Sequence, residues 1–322
     1  MPNTIQQILL AAPRGYCAGV DRAVQTVERA LELHGPPVYV RKEIVHNKHV
    51  VAQLRERGAI FVEQETEVPQ GAVTVFSAHG VAPSVRANAQ ARRLQTIDAT
   101  CPLVTKVHVE ARRFAEQGYT IVLVGHAGHE EVEGTMGEAP ERIVLVQDER
   151  DVAQLEVDDP ERVAYITQTT LAVEETAAIV ARLRERFPAI VGPRTDDICY
   201  ATTNRQAAVK QMAGKCDLVL VIGSRNSSNS VRLVEVARDW GAESHLIDNR
   251  HEVREEWLEG KRVVGISSGA SAPDELVQDL LELFRERGVR NECISELHVV
   301  REDVRFMLPK PIREAVAAGG AS

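Results

Sequence analysis

Thr96-Ile97-Asp98-Ala99-Thr100-Cys101-Pro102 reads as a short strand that reaches a cysteine and turns directly into a helix. Proline suits the first helical position, where no amide hydrogen is needed, so Cys101 falls at or next to the N-cap. Val104, Val107, Ala111 and Phe114 follow at helical spacing, and Gly118 suits the C-terminal cap. The same plan occurs twice more. Ile8-Leu9-Leu10-Ala11-Ala12 leads through Pro13-Arg14-Gly15-Tyr16 to Cys17, and a helix carrying Val20, Val24, Val27 and Leu31 stops near Gly35. Asp196-Asp197-Ile198 leads to Cys199, and a helix through 206–212 ends near Gly214. The cysteines are 84 and 98 residues apart, the length of a small domain.

The agreement continues downstream. Each helix leads to an apolar strand: Val38-Tyr39-Val40, Thr120-Ile121-Val122-Leu123-Val124 and Leu218-Val219-Leu220-Val221-Ile222. Polar groups follow each strand: His46-Asn47, His129 with Glu131, and Ser227-Ser228-Asn229. His46, His129 and Ser227 lie 29, 28 and 28 residues after their cysteines. A third strand comes next in each unit, at 73–76, 163–166 and 263–266, leading to His79, Thr169 and Ser271 at intervals of 62, 68 and 72.

Strands alternating with helices imply α/β units with parallel sheets, and such sheets bind ligands beyond the carboxyl ends of their strands. The expected fold is therefore α/β, with three pseudo-equivalent units of small, mainly parallel sheets. Placed around a pseudo-threefold axis, they would present one central site. The expected boundaries are 1–97 (Cys17, His46, His79), 98–195 (Cys101, His129, Glu131, Thr169) and 196–285 (Cys199, Ser227, Asn229, Ser271). A C-terminal tail, 286–322, is expected to pack along the outside or close the mouth of the site. Leu308-Pro309-Lys310-Pro311 cannot be helical throughout, and 317–322 reads as a frayed end.

Composition narrows the function classes. A chain of 322 residues has room for two or three domains, and 44% hydrophobic with 26% charged residues is ordinary for a globular protein. A disordered tail, a collagen-like fibre and a disulfide miniprotein are excluded. The net charge of −9 and only 13 aromatic residues disfavour a nucleic-acid surface. No apolar run reaches the ~18 residues of a membrane span. Met1-Pro2-Asn3-Thr4-Ile5-Gln6-Gln7 lacks a basic, signal-type start, so a cytoplasmic location is expected.

None of the five cysteines lies in a C-x-x-C pair, and an odd count argues against a disulfide framework. Cys216 and Cys293 fit the commoner role of small apolar core residues. Cys17, Cys101 and Cys199 instead occupy strand-to-helix junctions, where helix N-termini stabilise thiolate, the ligand form. Three converging thiolates suit a metal centre with one open position, either zinc or a 4Fe-4S cluster, and local spacing does not choose between them. His46, His79, His129, Ser227, Ser228, Asn229 and Ser271 supply hydrogen-bond donors around a small anion. Glu131 is the acid among them suited to proton delivery. A lone histidine is more often structural, as read for His126, but matching repeat positions favour a site role for the other three. His126-Ala127-Gly128-His129-Glu130 does not match H-E-x-x-H, and no Walker or G-x-G-x-x-G motif is present.

The motifs together resemble the 4-hydroxy-3-methylbut-2-enyl diphosphate reductase (IspH/LytB) family. The matching stretches include Pro13-Arg14-Gly15-Tyr16-Cys17-Ala18-Gly19-Val20, Ser77-Ala78-His79-Gly80-Val81 and Asp98-Ala99-Thr100-Cys101-Pro102. They continue with Glu131-Val132-Glu133-Gly134-Thr135-Met136-Gly137, Thr167-Gln168-Thr169-Thr170-Leu171 and Asp197-Ile198-Cys199-Tyr200-Ala201-Thr202-Thr203-Asn204-Arg205-Gln206. Gly223-Ser224-Arg225-Asn226-Ser227-Ser228-Asn229-Ser230 and Gly269-Ala270-Ser271-Ala272-Pro273 complete the set, which spans about 8–310. Glu130 departs at a place given no role.

The resemblance implies the last step of the non-mevalonate isoprenoid pathway. Two electrons and two protons remove the hydroxyl of an allylic diphosphate as water, giving isopentenyl and dimethylallyl diphosphate. It implies a trefoil of three α/β domains around a central 4Fe-4S cluster, held by Cys17, Cys101 and Cys199 with one iron open to substrate. Glu131 would supply protons directly or through Thr169, and Thr169 would orient the hydroxyl. His46, His79, His129, Ser227, Ser228, Asn229 and Ser271 would bind the diphosphate. Electrons would come from a low-potential donor of ferredoxin or flavodoxin type, with Arg14, Arg41, Lys42 and Lys48 as weak docking candidates. The rival readings are a zinc hydrolase or lyase using the same side chains and a non-enzymatic iron–sulfur sensor. The three histidines and four Ser/Asn donors argue against the sensor.

Overall fold

A computed structural model describes residues 5–319. The chain opens with β1 (Gln7–Ala12), α1 (Ala18–His34), β2 (Val38–Arg41), α2 (Lys48–Glu56), β3 (Ala59–Val62), β4 (Val73–Phe76), α3 (Pro83–Ala91) and β5 (Gln95–Asp98). It continues with α4 (Pro102–Glu116), β6 (Thr120–Val124), α5 (Glu130–Met136), β7 (Ile143–Val146), α6 (Glu149–Gln154), β8 (Val163–Thr167) and α7 (Val173–Arg186). The remainder holds α8 (Tyr200–Ala213), β9 (Leu218–Ile222), α9 (Ser228–Asp239), β10 (Glu243–Ile247), α10 (Glu255–Leu258), β11 (Val263–Ser268), α11 (Asp274–Glu286), β12 (Ile294–His298) and α12 (Lys310–Gly319).

Three small sheets result, in the orders β3-β2-β4-β5, β7-β6-β8 and β10-β9-β11-β1-β12. Every pairing between these strands is parallel. The expected α/β class with three small parallel sheets is what the chain adopts. The sheet orders make the repeat explicit. In each, the first strand of the unit is central, the second lies on one side and the third on the other, and a fourth position lies beyond the third. β5 fills that position in one sheet and β1 in another. In the three-stranded sheet it is reduced to a single parallel bridge, Ala164 to Val191.

Two expectations need correction here. First, β1 does not belong with the sheet of 1–97; it pairs with β11 and β12. Its run Ile8–Leu10 is buried throughout, and an apolar run of that kind needs a strand on each side in a covered parallel sheet. The tail is likewise part of that sheet, because β12 aligns Ile294 with Ile8. Second, among the described residues no strand lies between α7 and Cys199. Pro188 and Pro193 cannot donate to a ladder, which limits pairing there to the Val191 bridge.

Alternation of side chains divides the five-stranded sheet's core in two. Ile8, Leu10, Leu218, Leu220, Ile222 and Ile266 pack with Leu276, Val277, Leu280, Leu281 and Phe284 of α11. Leu9, Ala11, Val219 and Val221 face Ala208, Val209 and Met212 of α8 and Leu233, Val236 and Ala237 of α9. Each fully buried large side chain contributes roughly 1.5–3 kcal/mol. Cys293 packs on the first cluster and Cys216 on the second, matching their expected core role.

The chain divides into two compact units. One comprises Met1–Ala18, His46–Val51 and Tyr200–Arg305 and contains the five-stranded sheet; the other comprises Gly19–Val45, Ala52–Cys199 and Phe306–Ser322 and contains the other two sheets. In the expected frayed end, α12 continues to Gly319; residues 320–322 lie outside the described residues, as do the first four residues of the start read for a signal. Among the described residues no helix is long and apolar enough to cross a membrane.

Candidate active site

The polar positions read from the repeat lie just beyond the carboxyl ends of strands: His46 after β2, His79 after β4, His129 after β6, Thr169 after β8, Ser227 after β9 and Ser271 after β11. They form two groups, one in each unit.

In the unit holding β6 and β8, His129 is the N-cap of α5, and its Nδ1 accepts the backbone N–H of Glu131 at 3.2 Å. An accepting Nδ1 places the ring proton on Nε2, which makes Nε2 a donor. His79 stands edge-on to His129, with ring centroids 6.0 Å apart and planes at 88°. Its Nδ1 lies 3.1 Å from Oε2 of Glu130. Glu130, given no role in the sequence, therefore orients a histidine of the site. No spacing rule marks it, because two adjacent acids on a short helix look alike until the helix is docked.

Glu131 is 2% exposed. The Thr169 backbone N–H donates to its Oε1 at 2.7 Å, and the Thr169 hydroxyl donates to its Oε2 at 2.9 Å. Burial pushes its carboxyl up to about 7, against the two Thr169 hydrogen bonds and the nearby His108, which pull the other way. A carboxyl of that acidity is about half protonated at neutral pH and can give up or take a proton there, and the Thr169 hydroxyl can both accept and donate. Asp197 is also buried, and burial raises it to about 6 although it accepts from the Thr167 N–H and from Lys106.

In the other unit, Ser271 Oγ donates to the His46 carbonyl at 2.9 Å, and Asn226 Nδ2 lies 3.4 Å from His46 Nδ1. Ser227 caps α9, its Oγ accepting from the backbone N–H and hydroxyl of Ser230. Ser228 and Asn229 form the first turn of α9, so their backbone N–H groups lie at a helix N-terminus, where anions are stabilised. Asn229 is 4% exposed, yet neither side-chain polar atom has a hydrogen-bond partner. A buried amide left unsatisfied is costly, and a polar ligand is the simplest remedy. Two glycines allow this turn to form: a Cβ on Gly223 or Gly269 would lie 2.2 Å or 2.0 Å from Ser230 Oγ.

The three junction cysteines each precede a helix. α1 begins at Ala18 and α8 at Tyr200, while Cys101 is the N-cap of α4 with proline in its first turn. None of the five cysteines forms a disulfide, and Cys17, Cys101 and Cys199 are partly accessible. Helix N-termini favour thiolate. Burial in the core instead pushes the Cys216 thiol up to about 12, which keeps it protonated. The donor chemistry of the three junction cysteines thus fits a thiolate-ligated metal group, and Cys216 does not. Their backbone N–H groups are fixed by the carbonyls of Ala270, Ala78 and Thr169 respectively. The four cations weighed as docking candidates are all engaged within the chain: Arg14 with Glu296, Arg41 with Glu65, Lys42 with Glu63 and Lys48 with Asp248.

The profile of the family described as LytB protein matches residues 8–285. The chain is 60% identical to the 4-hydroxy-3-methylbut-2-enyl diphosphate reductase of Acidothermus cellulolyticus, over 99% of this chain and 94% of that one. It is 59% identical to the protein of the same name from Nocardia farcinica, over 97% and 92% of the two chains. Among solved structures, the E-1-hydroxy-2-methyl-but-2-enyl-4-diphosphate reductase of Plasmodium falciparum superimposes with a TM-score of 0.93 at 37% identity, covering 99% of this chain and 100% of that one. On sequence identity, superposition and extent of match, the chain belongs to the LytB protein family.

Proposed function

We propose that this chain is a 4-hydroxy-3-methylbut-2-enyl diphosphate reductase that converts its substrate to isopentenyl and dimethylallyl diphosphate in the cytoplasm, as the last step of the non-mevalonate pathway. The observation that carries the reading is the buried Glu131–Thr169 pair, with a proton available near neutral pH. Family membership supplies the reaction.

Cys17, Cys101 and Cys199 would hold a 4Fe-4S cluster by three irons, within a trefoil of three α/β units. When bound, the cluster supplies electrons and a Lewis-acidic iron to the substrate hydroxyl. Glu131 holds the proton needed to turn the departing hydroxide into water. Thr169, 2.9 Å from that carboxyl, positions the hydroxyl and passes the proton on. His129 and the α9 N-terminus, with His46, His79, Ser227, Ser228, Asn229 and Ser271, donate to the diphosphate; the orphaned amide of Asn229 gains its partners there. Neutral donors and histidines hold the anion without a permanent cationic clamp. A low-potential donor of ferredoxin or flavodoxin type delivers the electrons.

The test is an anaerobic assay of the iron-loaded full chain with reduced viologen and the hydroxylated diphosphate. Both product diphosphates should form, and Glu131→Gln should abolish most turnover while keeping substrate binding. A loaded wild-type chain that binds the substrate and leaves it unchanged would overturn the reading.

A further inference from the structure

Each junction cysteine is preceded by a turn whose carbonyls are held by a cation from a helix that follows a different cysteine. Arg22, on α1 after Cys17, donates through Nη1 to the carbonyls of Ala99 (2.9 Å) and Thr100 (3.0 Å) and through Nη2 to that of Asp98 (3.4 Å), just ahead of Cys101. Lys106, on α4 after Cys101, donates to the carbonyls of Thr195 (2.5 Å) and Asp196 (2.9 Å), ahead of Cys199. Arg205, on α8 after Cys199, donates to the carbonyls of Gly15 (2.7 Å from Nη2) and Tyr16 (3.4 Å), ahead of Cys17. The cations stand five, five and six residues after their own cysteines.

We propose that Arg22, Lys106 and Arg205 are three equivalent positioning residues, each fixing the turn that presents one metal-ligating cysteine. The idea rests on the cluster reading given above, because a cysteine without a metal would need no such hold. Backbone carbonyls held from behind cannot rotate, so the Cα–Cβ vector of the following cysteine is set before any metal arrives. This is how outer-shell contacts orient ligands in metal sites generally. Cys17 is held most completely. Gly15 has a φ of +69°, a conformation open to glycine, which turns its carbonyl onto the guanidinium. Tyr200 of the same helix accepts the Ala18 N–H at 3.1 Å, on the other side of the cysteine.

The C-terminal segment completes two of the three holds. Arg205 is fully buried, and its counter-ion is Glu302, 3.0 Å away, which Asn204 also donates to. Arg22 Nε donates to the Met307 carbonyl at 2.8 Å. Residues beyond the family-profile match thus serve as part of the ligand scaffold.

The experiment uses the full chain in three forms: Arg22→Met, the pair Lys106→Met with Asp197→Asn, and the pair Arg205→Met with Glu302→Gln; the two charge-neutral pairs avoid stranding the buried Asp197 or Arg205 charge. Amide hydrogen exchange is read at Cys17, Cys101 and Cys199, whose N–H groups are all bonded to carbonyls, and melting temperature and iron release to a chelator are read alongside. Each form should speed exchange about tenfold or more at the cysteine it serves: Cys101 for Arg22, Cys199 for the Lys106 pair and Cys17 for the Arg205 pair. The other two cysteines should stay as in the wild type. Iron release from the loaded protein should rise about 10–100-fold, with melting within a few degrees of wild type. Exchange that is unchanged, or raised equally at all three cysteines in every form, would overturn the proposal. A wild-type chain that takes up no iron would instead sink the cluster reading, and the exchange pattern would still decide whether the holds exist.

Discussion

At the scale of single residues the account turns on Glu131. Its carboxyl is buried and held by Thr169 alone among the site residues. Replacing it with Gln keeps an acceptor for the Thr169 N–H but removes the proton, so turnover should fall about 10²–10⁴-fold with the metal content unchanged. Turnover assays beside iron analysis check this, and near-wild-type turnover would take Glu131 out of the proton path. The pH dependence follows from the carboxyl being raised to about 7. Below the ordinary glutamate value the native and unfolded chains are both protonated and burial adds no pH-dependent cost. Between there and about pH 7 the unfolded chain loses its proton while the native one keeps it, so stability falls as pH rises. Above pH 7 the native carboxylate is ionised and the full cost, ~3 kcal/mol, is present. Denaturant melts from pH 5 to 8 should show this decline in the wild type and its loss in Glu131→Gln; parallel curves would contradict it. Glu131 was legible in the sequence as the acid among repeated donors. Glu130 was not, because its contact with His79 depends on how α5 is docked, which no spacing records.

At the scale of elements the N-terminus of α9 is the most exacting piece. Ser227→Ala removes the cap and should cost about 1 kcal/mol of stability as well as affinity for the diphosphate. Calorimetric melting and binding titration read the two separately. Gly269→Ala should destabilise by about 1–3 kcal/mol, since its Cβ would fall 2.0 Å from Ser230 Oγ. Adding Ser230→Ala removes that oxygen and should recover most of the loss; no recovery would mean the crowding lies elsewhere. Strands β2, β4, β6, β9 and β11 were readable because each is a short apolar run between turn residues. The approach to Cys199 reads as another such run, but Pro188 and Pro193 flank a segment that pairs only through the Val191 bridge. Polar groups at strand ends were legible through equal intervals, but the caps and orphaned atoms that give them chemistry appear only in three dimensions.

For the whole molecule, the threefold repeat was legible and its phase was not. Each unit's fourth strand position leads towards the next cysteine, so the first strand of the chain completes the last sheet. Periodicity along a sequence cannot reveal that, because pairing of β1 with β11 spans nearly the whole chain. The tail hides its strand for the same reason: β12 looks weakly apolar, and its place is fixed by β1 rather than by its own pattern. If the three units share one metal group, Cys199→Ser should abolish the intact cluster although two ligands remain, and full iron content in that variant would refute the ligand assignment. The most direct measurement of the central claim is iron, acid-labile sulfide and zinc per chain on anaerobically purified protein. About four irons and four sulfides with no zinc is the predicted result. One zinc without sulfide would contradict it and leave the same cysteines and histidines to a hydrolytic chemistry.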